Sequence, residues 1–359
     1  MRNENPLTKN ARKILILRLD RIGDMLLSTP AIRSVREALP SAHLTLVASP
    51  YNAPVLQGWE AVDEIRAYDR KWPASRKREF ARGLREERYD LCMVLSSLME
   101  SYRLAASSRA GVRAGILYSR RLWARVVGPR LLTHPMVLDI DGAVRRKERV
   151  PHEVEQLLGL VRHVGLPAKE HPLEVSLRRA DVDWARELVS QTLDGGAFIG
   201  LHLSDEWLSG GWSGLGIAVL IEEILRGIAD SCVIVTHGPR DSKAAARVAP
   251  YLSREWVIAP HLRSRVLMSG DLPFGRWAAL LSLCGAVVTR DTGSLHLAAA
   301  LGRPVVAIYD KGRFHHNSQQ WAPWMVPHCS LESGRCGETS AEILRMLKSL
   351  LADTTRRAA

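Results

Sequence analysis

From residue 13 onward, short apolar runs alternate with stretches whose apolar residues recur at helical spacing. Lys13–Leu17 is β-branched and apolar and is predicted to be a strand. Ile22-Gly23-Asp24 is predicted to turn the chain. Met25–Leu39 then carries Ile32, Val35 and Leu39 on one helical face, and Pro40 stops it. His43–Ala48 reads as a second strand, Ala61–Tyr68 as a third, and Lys71–Glu87 as a strongly basic helix. Tyr89–Ser96 follows as a strand, then a helix to about Arg109 and a strand at Val112–Leu117. Val150–Val164 places Val154, Leu157, Leu158 and Val161 on one side of a helix that Gly165-Leu166-Pro167 ends. The stretch His171–Arg178 reads as a linker, which puts a boundary between a unit of residues 1–175 and one of residues 176–359.

Beyond the linker the alternation restarts. Ala180–Leu193, Gly216–Ala229, Asp241–Val248, Phe274–Cys284, Leu295–Leu301 and Ala341–Leu351 are predicted helices. Ala197–Leu203, Cys232–Thr236, Ala286–Thr289 and Pro304–Tyr309 are predicted strands. Alternating strands and helices imply parallel sheets covered on both faces. The expected class is therefore α/β, with two facing Rossmann-like domains of mainly parallel strands and the cleft between them as the default ligand site.

Composition narrows the function. The 359 residues are 46% hydrophobic and 25% charged, ordinary for a globular protein. The apolar run Ile14–Leu17 is too short for a bilayer and no small-residue cleavage site follows it, so a signal peptide and a membrane span are not expected, and the cytoplasm is the expected compartment. The net charge is +12, and it is unevenly placed. Residues 1–180 hold 32 Lys and Arg against 20 Asp and Glu, whereas residues 181–359 hold 18 of each. A basic first half attracts phosphates, although a chain that prefers Arg to Lys through genome composition would be basic anyway. No zinc finger, RNA-recognition motif or aromatic-rich basic sheet is visible, so nucleic acid is not the expected partner. Of five cysteines, Cys92, Cys232 and Cys284 sit in apolar runs, while Cys329 and Cys336 are expected in a loop. Their spacing fits no standard zinc pattern, and no metal site is expected.

Two segments carry chemistry. In Arg18-Leu19-Asp20-Arg21-Ile22-Gly23-Asp24 the first strand gives way to the first long helix, and ligands of parallel sheets gather at such carboxyl ends. Gly23 permits a tight turn or close approach. Asp24 stands at the helix mouth, and position alone favours a helix cap over a catalytic role. The segment is no G-x-G-x-x-G fingerprint, which gives a dinucleotide oxidoreductase no support. The second segment is Thr289-Arg290-Asp291-Thr292-Gly293-Ser294-Leu295-His296-Leu297-Ala298-Ala299-Ala300. Here a strand enters Asp-Thr-Gly and a helix of small residues follows, so the helix N-terminus with Thr292 and Gly293 forms an anion site. His296 lies one turn in, within reach of a phosphate or ribose.

The opening string R-L-D-R-I-G-D-M-L-L-S-T-P-A-I-R and the later D-T-G-S-L-H-L-A-A-A-L-G-R-P resemble two signatures of glycosyltransferase family 9, the ADP-heptose:lipopolysaccharide heptosyltransferase family. His152-Glu153-Val154-Glu155 with Gly165-Leu166-Pro167 resembles the helix before that family's linker. His237-Gly238-Pro239 resembles a turn of its donor domain. The resemblance spans about residues 13–310. It implies a GT-B fold, an inverting mechanism, and no cofactor or required metal. It further implies an ADP-heptose donor held by the C-terminal domain, and an anionic, lipid-linked lipopolysaccharide core acceptor met at the inner face of the inner membrane. The family's catalytic aspartate falls on Asp24, as general base. Donor contacts are expected from Asp291, Thr292, Gly293, His296, His202, Ser204, Gly238 and Arg240, and acceptor contacts from Arg18, Arg21 and Gly23.

The chain departs from the pattern in two places. Family members carry a lysine in Lys-x-Trp-Pro after the first C-terminal strand, and here Gly210 precedes Gly211-Trp212-Ser213. Arg240 stands where a carboxylate is common, and it is one candidate for the missing positive charge. The departures keep open another nucleotide-sugar donor serving a surface polysaccharide or glycoprotein, and also a non-catalytic binding paralogue.

Lesser candidates are Thr8 as an acceptor contact and His315-His316 as a loop, while His202, at the end of a strand, is as readily a satisfied core histidine as a donor contact. Trp256, Trp321 and Trp324 are expected to pack. Arg113–Leu132, which mixes arginines with Leu122, Trp123, Val126 and Val127, is either a membrane-surface segment or an ordinary amphipathic one.

Overall fold

The computed structural model describes Thr8, residues 10–120, Val126, Gly128 and residues 130–194, 196–238, 241–334 and 336–358. The chain divides into two compact units, Met1–Ser176 and Leu177–Ala359.

In the first unit the elements run β1 (Lys13–Arg18), α1 (Ile22–Ala38), β2 (His43–Ala48), β3 (Glu64–Ala67), α2 (Ala74–Glu86), β4 (Leu91–Val94), α3 (Met99–Ser108), β5 (Val112–Tyr118), β6 (His134–Leu138), α4 (Ile140–Arg145) and α5 (Glu153–His163). The six strands pair in parallel in the order β3-β2-β1-β4-β5-β6. This is the Rossmann order, and it reverses between β1 and β4, where a crevice opens beyond the strand ends. Leu15, Leu17, Val47, Cys92, Val94 and Tyr102 form its core. Ile14–Leu17 and Leu44–Val47 are buried without alternation, as strands covered on both faces must be.

The second unit repeats the plan: α6 (Arg179–Thr192), β7 (Ala197–Leu203), α7 (Asp205–Ser209), α8 (Gly214–Gly227), β8 (Ser231–His237), α9 (Ser242–Leu252), β9 (Val266–Met268), α10 (Phe274–Ser282), β10 (Ala286–Arg290), α11 (Gly293–Ala300), β11 (Val305–Tyr309), α12 (Phe314–Gln320), β12 (His328–Glu332) and α13 (Cys336–Ala358). The parallel order β12-β11-β10-β7-β8-β9 reverses between β7 and β10. Trp207, Ile221, Val233, Val288 and Ile308 lie in its core.

Several sequence expectations change. The helix after β1 begins at Ile22, so Ile22-Gly23-Asp24 is its first turn rather than a separate one. Gly23 is buried there and is not among the glycines with positive φ, so a tight turn is not its function. Pro30 sits inside α1; it has no N–H to give the Leu26 carbonyl, and the Thr29 hydroxyl donates there instead (2.7 Å). The residues after Leu166 are bound to the first unit: the Lys169 and Glu174 N–H groups donate to Ser34 and Thr29 hydroxyls, and Arg33 grips the Glu174 carboxylate. Strands β6, β9 and β12 had no prediction because each is short and half-exposed, with weak alternation. Cys329 lies in β12 and Cys336 opens α13, rather than in a loop, and His315 and His316 lie in α12.

Thr8 is fully buried, its hydroxyl donating to the Val164 carbonyl (2.7 Å), which makes it a structural residue rather than an acceptor contact. Trp256 is 69% exposed and does not pack in the core. Of Arg113–Leu132, Arg121, Leu122, Trp123, Arg125 and Val127 lie outside the described residues, and Arg113 is spent on the Leu131 and Ala110 carbonyls. Among the described residues, no helix is long and apolar enough to cross a membrane.

Candidate active site

In each unit the functional segments fall at the carboxyl edge of the sheet, beside the point where strand order reverses. In the first unit this edge is organised by Arg18, the last residue of β1, only 2% exposed. Its Nε lies 3.1 Å from Asp20 Oδ1, and its Nη2 lies 3.5 Å from Asp24 Oδ1 and 3.4 Å from Glu153 Oε1. Nε also donates to the Asp24 backbone carbonyl (2.9 Å), and Nη1 donates to the Leu95 carbonyl. One guanidinium thus faces three carboxylates, and its own proton is held all the more tightly despite burial, through Asp20, Asp24 and Glu153. With its fork spent inside the unit, Arg18 holds these carboxylates in place and is not a free acceptor contact.

Asp24 is the third residue of α1, not its cap. The helix cap is the exposed Arg21, whose backbone N–H donates to Asp24 Oδ2 (3.1 Å). The Asp24 side chain is 29% exposed, the most open of the three carboxylates. A carboxylate anchored by one oxygen to backbone and by the other to a buried arginine, and still in reach of solvent, suits proton abstraction from a bound hydroxyl.

Asp20 and Glu153 had no part in the sequence-based site, though the R-x-D spacing at a strand end was a signal. Burial, opposed by Arg18 and reinforced by Asp24 and Glu153, pushes the Asp20 carboxyl up to about 7. Asp20 Oδ1 accepts no hydrogen bond. Asn52 fixes the loop by donating to the Arg18 carbonyl (3.0 Å). Along the same edge, a cavity of about 500 Å³ is lined by Arg70, Lys71, Lys77, Leu98, Met99 and Glu100, and is cationic on balance.

In the second unit, Asp291 follows β10. Its Oδ2 accepts a hydrogen bond from Asn317 Nδ2 (2.7 Å), a partner no sequence pattern announced. Burial raises its carboxyl to about 6, with Asn317 opposing. Thr292 caps α11, and its hydroxyl and that of Thr289 meet Ser294 Oγ at 2.7 and 2.5 Å. Gly293 opens the helix and His296 is buried one turn in. The first-turn N–H groups of α11 thus sit at the strand edge, where an anion would meet them.

His202, near the end of β7, is buried, stacks on Trp277 (5.1 Å between centroids) and shares a hydrogen bond with the Thr236 hydroxyl (2.9 Å). Burial, with His237 nearby, drives it down to about 3, so it is neutral and bonded as a core histidine is. Ser204 Oγ, two residues on, is buried without a hydrogen-bond partner. Gly238 leaves room for Asp241, whose Oδ2 would lie 2.8 Å from an added Cβ. Asp241 in turn accepts the Asp205 N–H (3.2 Å), tying α7 to α9. Arg240 lies outside the described residues. Among the described residues, no group of three or more His, Cys, Asp or Glu side chains is placed to hold a metal ion.

The family profile described as glycosyltransferase family 9 (heptosyltransferase) matches residues 77–336, a span that includes Asp291–His296 and begins beyond Asp24. Lipopolysaccharide heptosyltransferase 2 of Escherichia coli K12 is 25% identical over 316 residues, covering 83% of this chain and 82% of the relative. A putative glycosyltransferase of Haemophilus influenzae is 21% identical over 324 residues, covering 87% and 86%. Among solved structures, a glycosyl transferase family 9 protein of Veillonella parvula superposes with a TM-score of 0.77 at 18% identity, covering 98% of this chain and 99% of that one. The E. coli ADP-heptose lps heptosyltransferase II does so with a TM-score of 0.76 at 20% identity, covering 96% and 99%. These two structures share the fold.

Proposed function

The chain belongs to glycosyltransferase family 9 and is a glycosyltransferase, and from that premise we propose that it transfers heptose from ADP-heptose to a lipopolysaccharide core acceptor. The supporting observation is the likeness to lipopolysaccharide heptosyltransferase 2 along 83% of the chain.

In this reading the first unit receives the acceptor. Asp24 takes the proton of the acceptor hydroxyl, whose oxygen attacks the anomeric carbon of the donor sugar. The bond from that carbon to the diphosphate breaks with inversion, and the leaving group departs with the electron pair as a nucleoside diphosphate. The proton on Asp24 then returns to solvent. Arg18 keeps Asp24 oriented throughout. The cationic cavity of Arg70, Lys71 and Lys77 offers a place for an anionic group of a glycolipid.

The second unit receives the donor. Asp291, Thr292, Gly293 and His296 meet the nucleotide sugar, and the α11 N-terminus stabilises charge growing on the diphosphate. Ser204, whose buried hydroxyl lacks a partner, is a further donor contact. No residue is assigned to a cofactor or metal, and the enzyme works peripherally at the inner face of the inner membrane.

Gly210, in place of the lysine the family pattern leads one to expect, favours a second reading with another nucleotide-sugar donor. Calorimetric titration with ADP-heptose, against UDP- and GDP-sugars, separates the two. Selective ADP-heptose binding supports the heptosyl donor, and selective binding of another sugar nucleotide replaces it. Binding of none overturns the assignment of the second unit as donor domain.

A further inference from the structure

Arg290 is the last residue of β10 and directly precedes Asp291. Its side chain is among the largest fully buried ones, at 2% exposure. Nη1 donates to Ser333 Oγ (3.2 Å), and Nη2 is paired with Asp310 in the loop after β11. On its other side lies Gly210, at the end of α7. A Cβ on Gly210 would stand 2.6 Å from Arg290 Nη1, 2.9 Å from Nη2 and 2.9 Å from the Glu206 carbonyl oxygen. The φ of Gly210 is an ordinary −80°, so backbone strain does not require a glycine there. The Arg290 guanidinium and the Glu206 carbonyl oxygen occupy the place that a side chain at position 210 would take.

The guanidinium thus carries a cation from β10 into the place beside the end of α7 that Gly210 leaves empty; β10 and β7 pair directly. Its counter-ion differs from it in one respect. Arg290 is buried, whereas the Asp310 side chain is 57% exposed. A buried guanidinium needs an anion beside it, but a carboxylate so open to water leaves at little cost. A planar fork also matches two phosphate oxygens as well as it matches a carboxylate.

We propose that Arg290 is the diphosphate-binding cation of the donor site, with Asp310 as its placeholder, exchanged for the diphosphate when the nucleotide sugar arrives. The inference rests on the glycosyltransferase reading of the second unit but not on which base or sugar the donor carries. Gly210 is the complementary half of the device, since a side chain there would displace the guanidinium from its present place. No bond is made or broken in the exchange; one anion replaces another at the same fork.

Inorganic pyrophosphate is the probe, because it carries the charge without the base or sugar. Calorimetric titrations of the full chain would compare wild type with Arg290→Met, Arg290→Lys, Gly210→Ala and Asp310→Asn, with melting temperatures as the folding control. Losing charge-assisted hydrogen bonds is expected to weaken pyrophosphate binding ~10- to 100-fold in Arg290→Met. Arg290→Lys recovers part of this loss. Gly210→Ala keeps every charge but displaces the fork, and weakens binding while melting near wild type. Asp310→Asn removes the competitor and tightens binding. Wild-type protein that ignores pyrophosphate, or an Arg290→Met variant that melts normally and binds it as wild type does, overturns the proposal. Tightening absent in Asp310→Asn overturns the exchange. If pyrophosphate behaves as expected and ADP-heptose does not bind, the donor assignment fails while the role of Arg290 stands.

Discussion

Asp20 offers the most direct test of how the three carboxylates around Arg18 are held. Its carboxyl titrates near 7 in the folded chain, against an ordinary value of 3.8, chiefly because burial penalises the charge. A carboxyl raised on folding contributes stability that is fully present below 3.8 and lost as pH rises through about 7, because in that window the folded state holds the proton and the unfolded state does not. At ~1.36 kcal/mol per pH unit, the loss across the whole window is ~4 kcal/mol, and the part between pH 5 and 8 is ~2–3 kcal/mol. The side chain retains 20% exposure, and the expected figure after screening is ~2 kcal/mol. Asp20→Asn removes the titration and leaves Arg18 with Asp24 and Glu153. Unfolding in urea at pH 5, 6, 7 and 8, followed by hydrogen exchange in the β1 peptide, reads the first unit separately from the second. The variant should gain on wild type from pH 5 to about 7 and level off by pH 8, whatever its offset at pH 5. A difference that stays constant from pH 5 to 8, or that narrows, would show that burial does not hold the proton on Asp20.

Asp24→Asn should lower turnover ~10²- to 10⁴-fold while leaving nucleotide binding unchanged, as measured by product formation beside calorimetry; undiminished turnover would remove Asp24 as the base. Gly214→Ala places a Cβ 2.0 Å from the Arg247 backbone oxygen. Backbone cannot swing aside as a side chain can, and the expected cost is ~2 kcal/mol or more, read as a drop in the melting of the second unit. Trp207→Ala empties the largest fully buried side chain among the described residues and abandons the His202 carbonyl that the indole N–H bonds at 2.9 Å. A loss of ~3–5 kcal/mol is expected in urea unfolding of the same unit, and a loss under 1 kcal/mol would contradict the packing described.

The alternation of strand and helix was legible in the chain alone, because strands buried on both faces must be continuously apolar and their covering helices must be amphipathic. Ala197–Leu203 could be read to the residue, and the Asp24 and Asp291–His296 segments could be located, because strand-to-helix junctions of parallel sheets are written locally. Helix starts were less legible: α1 begins three residues earlier than its apolar spacing suggests, since Arg21 and Asp24 together supply the cap. The half-exposed strands β6 and β12 and the helix holding His315 and His316 were not legible, because their apolar pattern is too weak to stand out from loop.

Which side chains face one another follows from the folded arrangement alone. Arg18 meets Glu153 across 135 positions of chain, Asp291 meets Asn317, and Arg290 meets Gly210 and Asp310. Parallel strand order brings these residues to one edge of each sheet, and burial there sets their charge states. Local spacing carries neither fact, because both depend on which distant segments the sheet sets side by side.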